Sequence, residues 1–210
     1  MDGVLVDSTA SDERSWLRWA TLHGMEGTFS LHSTHGRRAV DTIRALRPDL
    51  DPCAELRRLE DIDAEDPTGS SALPGANALL ATLPPTVWAI VTSAPSRLAK
   101  SRLQAARIPL PQHLVTADKV SHGKPHPEPY QLGATRLGLH PSACLVIEDS
   151  PAGIQSAKAA GCKTLAVLSS HPIEALLEAD WIVPSLDHVL ALPTPDGLLT
   201  IHCKAARIFL

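Results

Sequence analysis

"CLVIEDSPAGIQSAKAAGCKTLAVLSS" (144–170) reads as strand, helix, strand. Its two ends, 144–150 and 163–170, are short apolar runs bounded by polar or Gly/Pro residues, the pattern of strands buried on both faces. Residues 151–160 between them have a helical pattern. Outward from this unit the alternation continues. "TVWAIVTS" (86–93) and "DWIVPS" (180–185) are two further strand candidates, and 96–106 and 127–138 are helix candidates, the second opened by Pro127 at a first helical position. Strands alternating with helices from about Pro84 onward predict an α/β fold with a doubly wound, Rossmann-like parallel sheet. "LALPTPDGLLTIHC" (190–203) predicts a terminal hairpin turning at Pro195-Asp196-Gly197, and "KAARIFL" (204–210) fits no element.

Upstream the pattern changes. "SDERSWLRWATLHG" (11–24), "GRRAVDTIRALR" (36–47) and "CAELRRLEDIDAED" (53–66) have helical periodicity, charged faces and no strand between them. Residues 9–71 are therefore expected to be a small all-helical insert, with 1–8 and 72–210 as the core. The borders "VDSTA" (6–10) and "PTGSSALPGA" (67–76) suit a hinge. Trp16, Trp19, Trp88 and Trp181 are expected to fill cores, with Trp16 or Trp19 near the substrate face of the insert.

The chain has 210 residues, 44% of them hydrophobic, enough to bury a core, and its net charge is −4 with a pI near 6.2. No basic cluster offers a nucleic-acid backbone a footprint. No apolar run approaches the roughly 18 residues of a membrane span, and the first residues lack the pattern of a signal peptide. A cytoplasmic protein, monomeric or a small homo-oligomer, is expected. Cys53, Cys144, Cys162 and Cys203 lie far apart without CxxC spacing and read as buried free thiols. His122 and His126 are four apart, but two prolines break any helix through "GKPHP", so their rings are not expected to converge on zinc.

In a doubly wound sheet ligands bind at the carboxyl ends of the strands. The candidates there are Asp2-Gly3, Thr92-Ser93 after "WAIV", Lys124 in "HGKPHPEPY", and Glu148-Asp149 after "LVI". Taken singly each is ordinary: adjacent acids after a strand cap helices, and Thr-Ser closes turns. Taken in this order they resemble the haloacid dehalogenase superfamily. Its first motif, Asp-x-Asp-Gly-(Val/Thr)-Leu-x-Asp-Ser, is matched by "MDGVLVDS" (1–8) except for the leading Asp. Thr92 matches the second motif, Lys124 in "GKPHP" the third, and "EDSPAG" (148–153) the acidic fourth. The similarity covers nearly the whole chain, including the helical insert, which that family uses as a cap. Within it the chain most resembles bacterial sugar-phosphate phosphatases and the yeast glycerol- and deoxyglucose-phosphate phosphatases.

The resemblance implies phosphatase chemistry on a small sugar or polyol phosphate through an aspartyl-phosphate, and the residue types suit it. Asp2 would be acid toward the leaving alcohol and then base toward water. Thr92 and Ser93 would donate to phosphate oxygens, Lys124 would supply a point charge, and Gly3 would allow a close turn. Glu148, Asp149 and the Asp2 carbonyl would hold Mg²⁺. In "STHGRRAVDTI" (33–43), His35, Gly36 and Arg37, with Arg38 beside them, fall where the cap reads substrate; a solvated helix start is the plainer alternative. Asp2 argues against a dehalogenase, whose leaving group needs no proton. A sugar phosphomutase would share every core residue.

The resemblance places the nucleophilic Asp immediately before Met1. A misassigned start or a truncation is therefore expected, and the chain as written is expected to be impaired. A phosphate-binding protein without catalysis is the other reading.

Overall fold

The computed structural model describes residues 1–27, 29, 36–65, 70–195 and 197–204, and the backbone of 207–208. The chain opens with a tight turn, in which Leu5 N donates to the Met1 carbonyl (2.8 Å) and Gly3 N to the Val6 carbonyl (2.8 Å), and runs into β1 (Val6–Asp7). Three helices follow: α1 (Thr9–Leu22), α2 (Ala39–Leu46) and α3 (Pro52–Ala64). Asp51 caps α3 by accepting from Cys53 N, and Pro52 fills a first-turn position where no N–H is needed. The chain returns in β2 (Ser71–Ala72), which pairs antiparallel with β1. The two borders read as a hinge are thus tied to each other.

Within the insert the spacing of apolar residues along each helix assembles a separate core of Trp16, Trp19, Ala20, Ile43, Leu59 and Ile62. Trp16 and Trp19 meet edge to face at 5.6 Å between ring centroids. The tryptophans of α1 are indeed core fillers. Trp88 and Trp181 pack, partly buried, against the larger core.

After α4 (Ala76–Ala81) the alternation begins: β3 (Ala89–Val91), α5 (Ser96–Ala105), β4 (His113–Val115), α6 (Glu128–Leu137), β5 (Leu145–Glu148), α7 (Pro151–Ala160), β6 (Lys163–Val167) and β7 (Trp181–Val183). β3, β5, β6 and β7 fall within the four apolar runs, and β4 is a strand that no run marks. Ser150 caps α7, accepting from Gly153 N at 3.2 Å. β5, β6 and β7 form one parallel ladder and β3 and β4 another. The parallel α/β architecture is as expected, but the described residues hydrogen-bond it as two ladders. The Met1–Val6 turn packs into the same core as Ile90, Leu103, Leu165 and Val183.

The predicted hairpin forms from β8 (Val189–Pro193) and β9 (Leu199–Cys203), closed by Thr194 N to the Leu198 carbonyl. The stretch with no assigned element contributes β10 (Arg207–Ile208), antiparallel to β7. Of the four thiols only Cys162 is buried, while Cys53 is exposed and Cys144 and Cys203 are half-buried, so buried thiols hold for one position. Among the described residues no helix is long and apolar enough to cross a membrane.

Candidate active site

The carboxyl ends of β3 and β5 deliver Thr92 and the Glu148-Asp149 pair to one edge of the core, where Met1, Asp2, Gly3, Lys124 and Ser170 join them around a cavity of about 120 Å³. Gly36 and Arg37 close it from the insert, and Trp16, Leu59, Glu60 and Asp63 form its far wall. Asp2, Gly3, Gly36, Arg37, Thr92, Ser93, Lys124, Glu148 and Asp149 are therefore brought together as expected. His35 lies outside the described residues.

Glu148 and Lys124 form a buried ion pair, 3% and 7% exposed, in which Lys124 Nζ and Tyr130 Oη both donate to Glu148 Oε1. Glu148 Oε2 accepts from Asp149 N (3.1 Å), Ser150 N (3.4 Å) and Ser150 Oγ (3.1 Å). Burial alone would raise this carboxyl; Lys124 reverses the direction and brings it down to about 2. Both Glu148 oxygens thus accept from protein donors, and its nearest opposite charge is the Lys124 ammonium.

Asp149 is the acid left facing the cavity. It is pushed up to about 7, by burial first and by the Glu148 charge second, although Ser170 Oγ donates to it. Gly3, at φ +68°, makes room for it, since a Cβ there would stand 1.9 Å from Asp149 Oδ2. Its carboxylate oxygens at the cavity are hard donors of the kind a small divalent ion takes, and such an ion would add positive charge beside it. The donor set therefore fits Mg²⁺.

Asp2 is held from one side, with Ser8 Oγ (2.7 Å) and Arg102 Nη1 (3.1 Å) both donating to Oδ1. Burial favours its neutral form, and the Arg102 guanidinium outweighs it, leaving Asp2 below the usual carboxylate range. Arg102 itself is 5% exposed and reaches Asp12 on α1 (3.0 Å) and Asp63 on α3 (2.8 Å) through Nη2. Neither Arg102 nor Tyr130 is a candidate in the sequence, where one sits on a charged helix face and the other follows a proline.

Thr92 is 6% exposed, and its hydroxyl accepts from Ala94 N at 3.1 Å, so the loop after β3 turns back upon itself. Ser93 Oγ donates to the Gly36 carbonyl (2.9 Å). At Gly36, φ +76°, a Cβ would meet Ser150 Oγ at 2.4 Å, so only glycine lets the insert lie this close to the strand ends. Arg38 turns away, bonded to Asp41 and to the Val120 carbonyl.

Residues 1–161 match the family described as haloacid dehalogenase-like hydrolase. The chain is similar to hexitol phosphatase A of Escherichia coli, 42% identical over 207 residues that cover 96% of each chain. It is 30% identical to 2-deoxyglucose-6-phosphate phosphatase 1 of Saccharomyces cerevisiae, over 96% of this chain and 92% of that one. The fold superposes on the crystal structure of a hydrolase from Pseudomonas syringae with a TM-score of 0.77 at 24% identity, covering 89% of this chain and 91% of that one.

Proposed function

Because the chain belongs to the haloacid dehalogenase-like hydrolase family, we propose that it is a Mg²⁺-dependent phosphatase of small sugar or polyol phosphate monoesters. The observation that carries this reading is the meeting of Asp2, Thr92, Lys124 and Asp149 in one cavity at the strand ends. The names of the relatives, a hexitol phosphatase and a deoxyglucose-phosphate phosphatase, support the substrate class.

Phosphoryl transfer needs charge neutralised around the moving group and a nucleophile in line with the leaving oxygen. Lys124, fixed by Glu148 and Tyr130, would lay a positive point charge beside the phosphate, and the Thr92 hydroxyl and Ser93 would donate to its oxygens. Asp149 and the Asp2 carbonyl would hold Mg²⁺, which supplies charge neutralisation when bound. Asp2, kept ionised by Arg102, is in the form that takes a proton from water, and it would give that proton to the leaving alcohol in the other half of the reaction. Residues 9–71 would act as the cap, with Arg37 reaching the phosphate and the wall of Trp16, Glu60 and Asp63 facing the sugar hydroxyls.

The test compares the chain as written with one that carries an apolar strand ending in Asp ahead of Met1, on a panel of hexitol and hexose phosphates. The extended chain is expected to release phosphate in Mg²⁺ and to lose it on chelation, and Asp2→Asn in it is expected to abolish most turnover. If the chain as written turns over at ordinary enzymatic rates, the alignment of the first motif is wrong and another carboxylate, such as Asp7, attacks.

A further inference from the structure

Among the described residues one group of nitrogen and oxygen donors stands close enough together to share an ion, and it lies outside the cavity: His122, His126 and Glu128. The three ligand atoms are within 4.8 Å of one another. The imidazoles face each other with centroids 4.5 Å apart and planes 31° from parallel. The sequence does not predict this, because Pro125 and Pro127 forbid the helix that would align residues four apart. A folded-back loop does it instead.

That loop is built from its own backbone. Glu128 accepts from Ser121 N (2.7 Å) and His122 N (2.9 Å), and His126 N donates to the Gly123 carbonyl (3.0 Å). Ser156 Oγ on α7 anchors the His126 carbonyl at 2.6 Å. Both rings are thereby carried on fixed backbone while their side chains remain exposed. His122 Nδ1 already lies 3.0 Å from Glu128 Oε2.

We propose that His122, His126 and Glu128 form a surface site for a borderline-soft divalent cation, with Zn²⁺ the ion its donors suit best. Bonds of about 2.0–2.1 Å in a tetrahedral site set the donors about 3.4 Å apart. Closing from within 4.8 Å requires rotation of the two exposed imidazoles toward the half-buried Glu128 carboxylate, which the Ser121 and His122 amides already hold in place, with His126 Nδ1 giving up its contact to Glu128 N or binding through Nε2. Two imidazoles and one carboxylate select Zn²⁺ over Mg²⁺, which prefers oxygen, so the site is distinct in chemistry from the one at Asp149. The same surface cleft also holds Arg37, Arg38 and Asp41. Arg38 is paired with Asp41 at 2.6 Å, which lessens its repulsion of an incoming cation. Lys124, between the two histidines in sequence, turns inward to Glu148 and takes no part. An ion here would clamp both arms of the loop whose middle delivers Lys124 to the cavity.

The experiment titrates the full chain with Zn²⁺ against a chromophoric chelator in saturating Mg²⁺, with Co²⁺ as a second probe read by its visible absorption. The unaltered protein is expected to bind one equivalent of Zn²⁺ more than the His122→Ala/His126→Ala variant, and Glu128→Gln, which keeps an amide-accepting oxygen, to weaken that equivalent at least tenfold. The Co²⁺ bands should vanish in the double histidine variant. Unchanged melting without metal, or the same loss of binding in folded His122→Asn and His126→Asn single variants, ties the result to the ligands. Equal Zn²⁺ stoichiometry and affinity in unaltered and double-variant protein overturns the site, as does an unaltered protein that binds no Zn²⁺ at micromolar concentration.

Discussion

Lys124 and Glu148 are both almost wholly buried, and neither can lose its partner cheaply. Removing one member of such a pair leaves an uncompensated charge and costs about 3–5 kcal/mol, whereas removing both charges often costs little. Lys124→Met and Glu148→Gln are each expected to destabilise the protein by that order, and the double variant to regain most of the loss. Denaturant unfolding of the full double-mutant cycle is the check; strict additivity would mean that the pair is not coupled. Gly3→Ala is a second residue-scale case, since the new methyl meets Asp149 Oδ2 in a left-handed backbone conformation. It is expected to lower stability by more than about 1 kcal/mol and to shrink any rise in melting temperature on adding Mg²⁺, measured side by side with the unaltered protein. Asp2, Thr92, Lys124 and Asp149 are legible in the sequence because, ordinary one by one, they follow one another in the order and local context of a known family's motifs. Glu148 is legible as an acid, but not as the partner of Lys124, because that pairing joins residues 24 apart in the chain.

Helix α3 shows what periodicity reads and what it misses. The stretch 53–66 has the pattern of an amphipathic helix with a solvated charged face, yet Glu55 on that helix is buried. Trp19 Nε1 (2.9 Å) and His23 Nε2 (2.7 Å) on and beside α1 meet its Oε2, and Arg58 lies 3.3 Å from Oε1. Burial alone would raise the Glu55 carboxyl; the hydrogen bonds from His23 and Trp19 turn the balance and lower it. A depressed folded value contributes stability that is fully present above the ordinary glutamate range and is lost as pH falls through the folded value. Glu55→Gln is therefore expected to destabilise the insert by about 1–3 kcal/mol at neutral pH and to flatten its loss of stability in acid, read from unfolding between pH 7 and pH 3. Strands without an apolar run around them are beyond such reading, and β4 has only Leu114 and Val115 in succession. β4 has three residues, between Pro111 and the Thr116 loop, and β10 pairs only because β7 offers an edge.

Across the whole molecule, Arg102 is a buried cation at which core and insert meet, beside the exposed Arg97–Asp61 pair that also joins α5 to α3. It leaves the core on α5 and binds Asp2 at the cavity, Asp12 on α1 and Asp63 on α3, so a single cation holds two helices of the insert over the strand ends. Nothing local in "SRLAKSRLQA" marks this arginine, because its burial arises only when the insert folds down onto α5. Of the three carboxylates around the guanidinium, Asp12 is raised, by burial first and to a lesser extent by its neighbours Asp2 and Asp63, although Arg102 opposes the shift. The members of the cluster should therefore respond unequally to substitution. Asp12→Asn removes the least content of the three charges and is expected to change stability by less than about 1 kcal/mol, with the remaining pairs intact. Arg102→Met leaves three half-buried acids facing one another, a loss on the order of 3 kcal/mol, the low end for a broken buried pair. The repulsion acts between α1, α3 and the core, so the insert should lift before the core unfolds. Hydrogen exchange is the measurement that separates the two. In Arg102→Met the amides of α1 and α3, and that of Leu73, which bonds the Leu5 carbonyl across the hinge ribbon, should exchange faster while those of β5 and β6 stay protected. Uniform acceleration of all of them would show that Arg102 stabilises the fold as a whole and does not hold the insert in place.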